Sequence, residues 1–152
     1  MNPNGTAGQP HPTATLGLMW RVRLLWDVWT TGAAVVIGLR RETLPAFVAR
    51  LGKPESRPPK PPALLSRAVS RGLRIGPWQP RCLIRALVLY RLLRVQGNDA
   101  VLVIGLADDR PSTEAHAWVE LAGRDMGPAP GAYGHRALVR YPIDAVEHDR
   151  TA

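Results

Sequence analysis

A single cysteine and a later histidine are the residues of this chain whose types and spacing suit covalent chemistry. Cys82 is the only cysteine, and it opens an apolar segment, residues 82–93, that reads as a helix. A thiol at a helix N-terminus lies near the positive end of the helix dipole, which favours the thiolate and can help hold an oxyanion. His116 lies 34 residues later, in a strand-like segment. The two residues together predict a nucleophile with its base.

Each of these residues also has a structural interpretation. A lone buried cysteine often serves as a small apolar filler, and a histidine can be a satisfied member of a core. Trp118 is interpreted as a packing residue beside the site, and Gln79 as either a loop residue or a donor to an oxyanion. His135 is expected in a loop, in a structural role.

The second half of the chain contains the elements that must position the pair. Residues 100–105 form a β-branched run that predicts a covered strand, and residues 115–120 alternate in the way a strand does. Ala122-Gly123 predicts a turn into residues 124–126, and residues 137–141 predict a further short strand. A helix followed by strands indicates an α+β fold with an antiparallel sheet.

The first half reads as helices around a proline-rich linker. We expect a disordered tail over residues 1–13, a helical segment over 14–52, a stiff linker over 53–62, a core over 63–145 and a second tail over 146–152. Within the helical segment, apolar residues recur at helical spacing. They are Leu18, Met19, Val22, Leu25, Trp26 and Trp29.

Charge is placed unevenly along the chain. Residues 1–76 carry nine Arg and two Lys against three acidic residues, so the whole net charge of +8 lies there, and residues 77–152 are neutral. One thiol cannot form an internal disulfide, and the N-terminus lacks a secretory pattern, so we expect a cytoplasmic protein. The most apolar run, residues 28–39, is short for a membrane span. We expect no cofactor and no metal.

Three motifs resemble a known family. They are Pro-Arg-Cys-Leu-x-Arg-Ala-Leu-x-Leu at 80–89, Leu-Val-Ile-Gly-Leu at 102–106 and Ala-His-Ala-Trp-Val-Glu at 115–120. They look like those of the bacterial lasso-peptide leader peptidases, which are transglutaminase-like cysteine proteases, also described as the C-terminal domain of the microcin-processing protein. The resemblance implies a transglutaminase/papain-like core, in which a central Cys-bearing helix packs against the sheet. By the same resemblance Cys82 is the nucleophile and His116 the base.

The resemblance also implies a reaction and its partners. Proteins of that family remove the leader from a ribosomally made precursor peptide, which frees the core peptide for an ATP-dependent macrolactam cyclase. Their leaders need a recognition module, usually a small winged-helix-like domain with N-terminal strands. Because residues 1–76 read as helices instead, the chain looks like the stand-alone type, which relies on a separate leader-binding recognition protein.

The expected third member of the catalytic triad is missing at its usual position. The family has an Asp about twelve residues after the His, and here that position is Pro128. A tight hairpin would pair Glu120 with Asp125, which puts Asp125 about 13 Å along the strand from His116. A bulge could shorten that gap, so Asp125 is the leading carboxylate candidate and Glu120 the second. Without either, a Cys-His dyad can still act.

Two classes of function therefore stay open. One is the cysteine peptidase, and the other is a non-catalytic scaffold of the same fold that binds the precursor or the cyclase. The basic half could attract an acidic leader, the leader-binding protein or a membrane surface, or it could be an ordinary solvated arginine face. Nucleic acid is not expected, since no recognised motif accompanies the charge.

Overall fold

The computed structural model describes residues 17–74, 81–108, 115–129 and 131–142 of the chain. The two expected tails and Gln79 lie outside these residues. The elements in chain order are α1 (Leu18–Arg41), α2 (Leu44–Leu51), α3 (Pro62–Gly72), α4 (Cys82–Arg94), β1 (Ala100–Ala107), β2 (Ala115–Leu121), β3 (Arg124–Asp125) and β4 (His135–Tyr141).

The strands form one antiparallel sheet in the order β3-β2-β1-β4. The predicted α+β class is thus confirmed. Ala122 and Gly123 both have positive φ, at 49° and 72°, and make the predicted tight turn. That turn pairs Glu120 with Asp125, as the hairpin count predicted. β3 is only two residues long, so the first half of β2 has no ladder partner on that side.

Helix α4 lies at the centre of the fold. Its residues 86–90, 92 and 93 are buried, because nearly every side of the helix is apolar and is covered by another element. It contacts α1, α2 and α3 as well as β1 and β2. The helices on either side of the segment 53–61 therefore contribute to one hydrophobic core together with the sheet.

The proline-rich segment 53–61 has no regular secondary structure, and α4 holds it in place. Arg91 donates to the carbonyl oxygens of Leu51 and Lys53, and Arg94 donates to that of Gly52. The Lys60 N–H donates to the Gln96 side chain at 2.7 Å. The ends of this expected linker are therefore fixed by α4 and by the residue that follows shortly after it.

Helix α1 buries a different face from the one that its apolar spacing suggests. Leu24, Val28 and Val35 are buried in the core. The opposite face of α1 also carries large apolar side chains, and these are exposed: Met19, Val22, Leu25, Trp26, Trp29 and Ile37. All of them except Ile37 belong to the helically spaced set noted in the sequence. The run 28–39 alone is short for a span, but it belongs to a helix whose residues 19–41 are long and apolar enough to cross a membrane by length and composition alone.

A bulge in β4 changes which side chains share a face of the sheet. Ile104 pairs with Val139, but the next residue, Gly105, pairs with Ala137, so Leu138 is an extra residue. One inserted residue reverses the alternation of side chains along the strand. His135, expected in a loop, is instead the first residue of β4. The prediction for its backbone was therefore wrong.

Candidate active site

Cys82 is the first residue of α4, as the sequence predicted. Its side chain is half-buried, and its Sγ lies 3.8 Å from the carbonyl oxygen of Ala115, to which the thiol can donate. Ala115 immediately precedes His116 on β2, in the part of the strand that β3 leaves unpaired. The thiol therefore reaches the open edge of β2 beside the backbone of the expected base.

The start of α4 also presents backbone donors. Ile84 and Arg85 donate their N–H groups to the carbonyl oxygen of Arg81. The N–H groups of Cys82 and Leu83 remain without an intrahelical partner, as in the first turn of any helix. Together with the positive end of the helix dipole, these groups suit an oxygen that gains negative charge near the sulfur.

His116 is a buried residue on β2, with 8% of its surface exposed. Its Nε2 lies 3.4 Å from the backbone carbonyl oxygen of Pro128. A carbonyl oxygen can only accept a hydrogen bond, so a neutral ring in this bond carries its proton on Nε2. Nδ1 then has the free lone pair, and it is the nitrogen that can accept a proton from a thiol.

Several groups adjust the basicity of His116. Burial lowers the pKa of His116 below its ordinary value of 6.5, and the hydrogen bond to Pro128 offsets part of that effect. Of the charged groups nearby, His135 and Arg85 lower the pKa further and Asp125 raises it. The net result is a lowered pKa, so the imidazole is neutral at neutral pH, as a general base must be.

Three rings cluster on one face of the sheet. The His116 and His135 rings are 4.9 Å apart, and Trp118 stacks on His116 at 6.2 Å with an interplanar angle of 17°. Trp118 is buried, which confirms its predicted packing role. Gly105 makes room for them, because a Cβ there would lie 2.8 Å from the Trp118 ring. Sequence reasoning missed His135, and without knowledge of the bulge no signal in the chain would have found it.

Arg85 is a second residue that sequence reasoning left without a role. Its Nε is buried and has no hydrogen-bond partner within the described segments. Burial and nearby Arg74 lower the pKa of Arg85, and interaction with Cys82 raises it in part. Arg85 lies three residues after Cys82, on the same side of the helix, and that spacing could have drawn attention to it. A guanidinium here can stabilise negative charge that develops on a substrate bound at the start of α4.

The Asp125 carboxylate anchors the loop that follows β3. Its two carboxylate oxygens accept the backbone N–H groups of Gly127 and Ala132, each at 2.7 Å. Pro128, whose carbonyl oxygen contacts His116, lies between these two anchors. Within the described part of the chain, no hydrogen bond joins Asp125 to His116 directly. The geometry thus connects the two residues through the loop, and a catalytic role for Asp125 stays a prediction.

Glu120, the second carboxylate candidate, is engaged elsewhere. It accepts a hydrogen bond from Trp118 Nε1 at 3.0 Å and another from Arg140 at 2.6 Å. Burial alone raises the pKa of Glu120, but the hydrogen bonds from Arg140 and Trp118 lower it overall. Glu120 therefore supports the tryptophan under the His116 ring.

The donor set of the site does not resemble a metal centre. Among residues 17–74, 81–108, 115–129 and 131–142, no three His, Cys, Asp or Glu side chains gather closely enough to hold a metal ion. The site as described consists of a thiol, an imidazole with a carbonyl partner, a second imidazole and a guanidinium.

Gly131 provides a test of the Asp125 anchor. Gly131 has φ +68°, and a Cβ there would lie 2.8 Å from the Asp125 carboxylate carbon. Gly134 has φ +69° but open space around its Cβ position. Each alanine variant should lose about 1–3 kcal/mol from backbone strain. We expect Gly131→Ala to lower the thermal midpoint several degrees more than Gly134→Ala, since it alone displaces the carboxylate. Equal midpoints would contradict the anchor.

Comparison with known proteins gives one match. A family model described as the transglutaminase-like superfamily matches residues 18–136, which include all four helices, β1, β2 and β3. Neither a curated protein nor a solved structure matches the chain.

Proposed function

The chain belongs to the transglutaminase-like superfamily, whose members are commonly cysteine-peptidase-like, and from that premise we propose that it is a leader peptidase. In this proposal it cleaves a ribosomally made lasso-peptide precursor with Cys82 as the nucleophile and His116 as the base. The superfamily is the established part. The lasso-peptide substrate rests on the resemblance of the motifs around residues 82, 104 and 116.

One observation carries the proposal. A thiol at a helix N-terminus contacts the strand residue next to a buried histidine, and the Nε2 of that histidine is engaged by a backbone carbonyl. This bond leaves Nδ1 as the basic nitrogen. A structural cysteine needs neither a neutral imidazole nearby nor an arginine on its own side of the helix.

The mechanism follows from these groups. His116 Nδ1 takes the proton of Cys82, and the thiolate attacks the scissile carbonyl carbon. The carbonyl oxygen becomes an oxyanion near the N–H groups of Cys82 and Leu83. His116 then returns the proton to the leaving amine, the C–N bond breaks, and a thioester remains on the sulfur. Water, deprotonated by His116, hydrolyses the thioester and restores the thiol.

A triad carboxylate orients the histidine ring and also stabilises the imidazolium by its charge. In this proposal the Pro128 carbonyl performs only the first of these tasks. Its carbonyl oxygen fixes the ring orientation and the tautomer of His116 through Nε2. A carbonyl carries no net charge, so it stabilises an imidazolium less than a carboxylate does. Asp125 adds a negative charge nearby, and that charge raises the pKa of His116. We therefore propose a dyad oriented by a backbone carbonyl, with Asp125 as a positioning residue.

The proposed partners follow from the same resemblance. The substrate is a precursor peptide, a separate leader-binding protein delivers it, and an ATP-dependent cyclase closes the released core peptide. The basic N-terminal half supports an acidic binding partner by charge complementarity. We propose a cytoplasmic location, because an unpaired nucleophilic cysteine must stay reduced.

The experiment is a cleavage assay read by mass spectrometry. The purified chain is incubated with the precursor peptide and the leader-binding protein encoded beside it. We expect two products whose masses add to that of the precursor plus one water. A protein that binds the precursor but leaves it intact under these conditions would instead be the non-catalytic scaffold, and the absence of the family Asp is the feature that favours that second function.

The magnitude of the Asp125→Asn effect separates three roles for this carboxylate. If Asp125 positions Pro128 through the loop, turnover should fall about 10²-fold, which is the cost of a misplacement near 1 Å. A direct triad member would cost about 10⁴-fold, and a purely structural residue no more than a few-fold. We expect the first result, with a thermal midpoint lowered by a few degrees.

Glu120→Gln is the matched control for that variant. It also removes a carboxylate with two hydrogen-bond donors, but Glu120 has no bond to the loop that carries Pro128. We expect its turnover to stay within a few-fold of the wild type. Wild-type turnover in both variants would mean that Asp125 has no positioning role.

A further inference from the structure

An exposed apolar stripe runs along the solvent side of α1. We define the α1 stripe as Met19, Val22, Trp26, Trp29 and Ile37. Met19 is 87% exposed, Trp26 64% and Ile37 51%. The first four residues recur every three or four positions and the last follows about two helical turns later, so they lie on one side of the helix. A soluble surface rarely shows so many large apolar side chains together without a binding role.

The other side of the same helix is part of the core. Leu24, Val28 and Val35 are buried there. Trp29 lies at the border of the stripe, where it is 45% exposed and its Nε1–H donates to the Gly72 carbonyl oxygen at 2.7 Å. These contacts fix α1 against α3 and α4. In this fold the helix can therefore offer its stripe to a surface but cannot be surrounded by lipid. A contact along its length, rather than a span, is the geometry that the fold permits.

The charged side chains at the two ends of the stripe are positive. Each acidic side chain in the described part of the N-terminal half is paired with a cation: Asp27 with Lys60, Glu42 with Arg50, and Glu55 with Arg57 and Arg91. Arg21 and Arg23 near the start of α1, and Arg40 and Arg41 at its end, have no acidic partner among residues 17–74, 81–108, 115–129 and 131–142. The stripe is thus bordered by arginines at both ends.

We propose that α1 binds an anionic lipid bilayer and lies in the plane of the interface. Tryptophan favours the region between headgroups and acyl chains, and arginines at both ends of a 24-residue helix can contact phosphates of the same flat surface. An anionic leaflet matches both the apolar side chains and the positive border. Such binding holds the protein at a membrane surface. The inference is independent of the proposed peptidase activity.

The test uses the full chain and lipid vesicles. Co-sedimentation is measured with vesicles of phosphatidylcholine alone and with vesicles that contain phosphatidylglycerol, at two salt concentrations. We expect binding to the anionic vesicles, weaker binding to the neutral ones and a decrease with salt. The variant Trp26→Ser with Ile37→Ser should lose at least about tenfold in partitioning, because two large apolar groups no longer leave water.

Leu138→Ser is the matched control. Leu138 is 56% exposed but lies on β4, away from α1, so this variant should bind vesicles as the wild type does. Wild-type binding by the Trp26/Ile37 variant would overturn the proposal, as would equal binding to neutral and anionic vesicles. If vesicles are ignored and the double variant loses self-association or the leader-binding protein instead, the stripe is a protein-docking surface and the lipid proposal is wrong.

Discussion

Replacing Cys82 with alanine is expected to abolish precursor cleavage. The thiol is the group that forms the covalent bond to the substrate, and removing the nucleophile of a hydrolase costs about 10⁶-fold in turnover. No other residue of the chain can take its place as a thiol, because Cys82 is the only cysteine. The measurement is the mass-spectrometric assay, with the incubation extended until the wild type has consumed all of the precursor.

The fold of the alanine variant should survive. Cys82 is half-buried at a helix end, where it packs at the edge of the core and its thiol makes one weak hydrogen bond to a carbonyl oxygen. We therefore expect a thermal midpoint within a few degrees of the wild type and unchanged affinity for the precursor. Cleavage by the pure Cys82→Ala protein would mean that another nucleophile acts, and the proposed mechanism would then be wrong.

Replacing His116 with glutamine should give the second-largest loss. The change keeps a polar side chain that can donate to the Pro128 carbonyl oxygen but removes the base. We expect turnover to fall by about 10²- to 10⁴-fold, the usual contribution of general acid-base catalysis. The rate of Cys82 alkylation by iodoacetamide at neutral pH should fall as well, because the thiolate is the reactive form. That second measurement needs no substrate.

The pH profile provides a further measurement on the same residue. Burial lowers the pKa of His116 below 6.5, so the neutral base persists as the pH falls past that value. Cleavage by the wild type should therefore decline only at a pH below 6.5, when the imidazole becomes protonated. His135→Gln should move this decline to a higher pH, since His135 lowers the pKa of His116, while cleavage above it stays within a few-fold of the wild type. A variant of His116 that still alkylates and cleaves at wild-type rates would exclude it as the base.

Local patterns predicted the elements that hold the site. The apolar run that Cys82 opens indicated where α4 begins, and the alternation around His116 indicated β2. The turn at Ala122-Gly123 fixed the pairing of Glu120 with Asp125. These features depend on residues close together in the chain, which is why periodicity and turn chemistry are informative about them.

Other features depend on contacts that no local pattern encodes. The face of α1 that is buried was not evident, because apolar residues occur on both sides of the helix and packing against α3 and α4 decides between them. The partner of His116 is a backbone carbonyl, which any residue type can supply, so the proline at position 128 gave no sign of it. The hairpin pattern indicated Asp125 as a candidate catalytic carboxylate. Its hydrogen bonds to the backbone of the following loop depend on tertiary geometry and could not be predicted from the sequence.

The extra residue in β4 makes part of this site depend on how β4 pairs with β1. Substitution of Leu138 changes one exposed side chain, whereas its deletion would restore strict alternation along β4. The deletion would leave both flanking registers unchanged, because Val139 already pairs with Ile104 and Ala137 with Gly105, so His135 would stay on the face that carries His116. The opposite change, in which a full-length β4 pairs without the bulge, would turn His135 to the core face with Val139 and Tyr141 and separate it from His116. The second imidazole of the site therefore depends on the bulge and not on the side chain of Leu138.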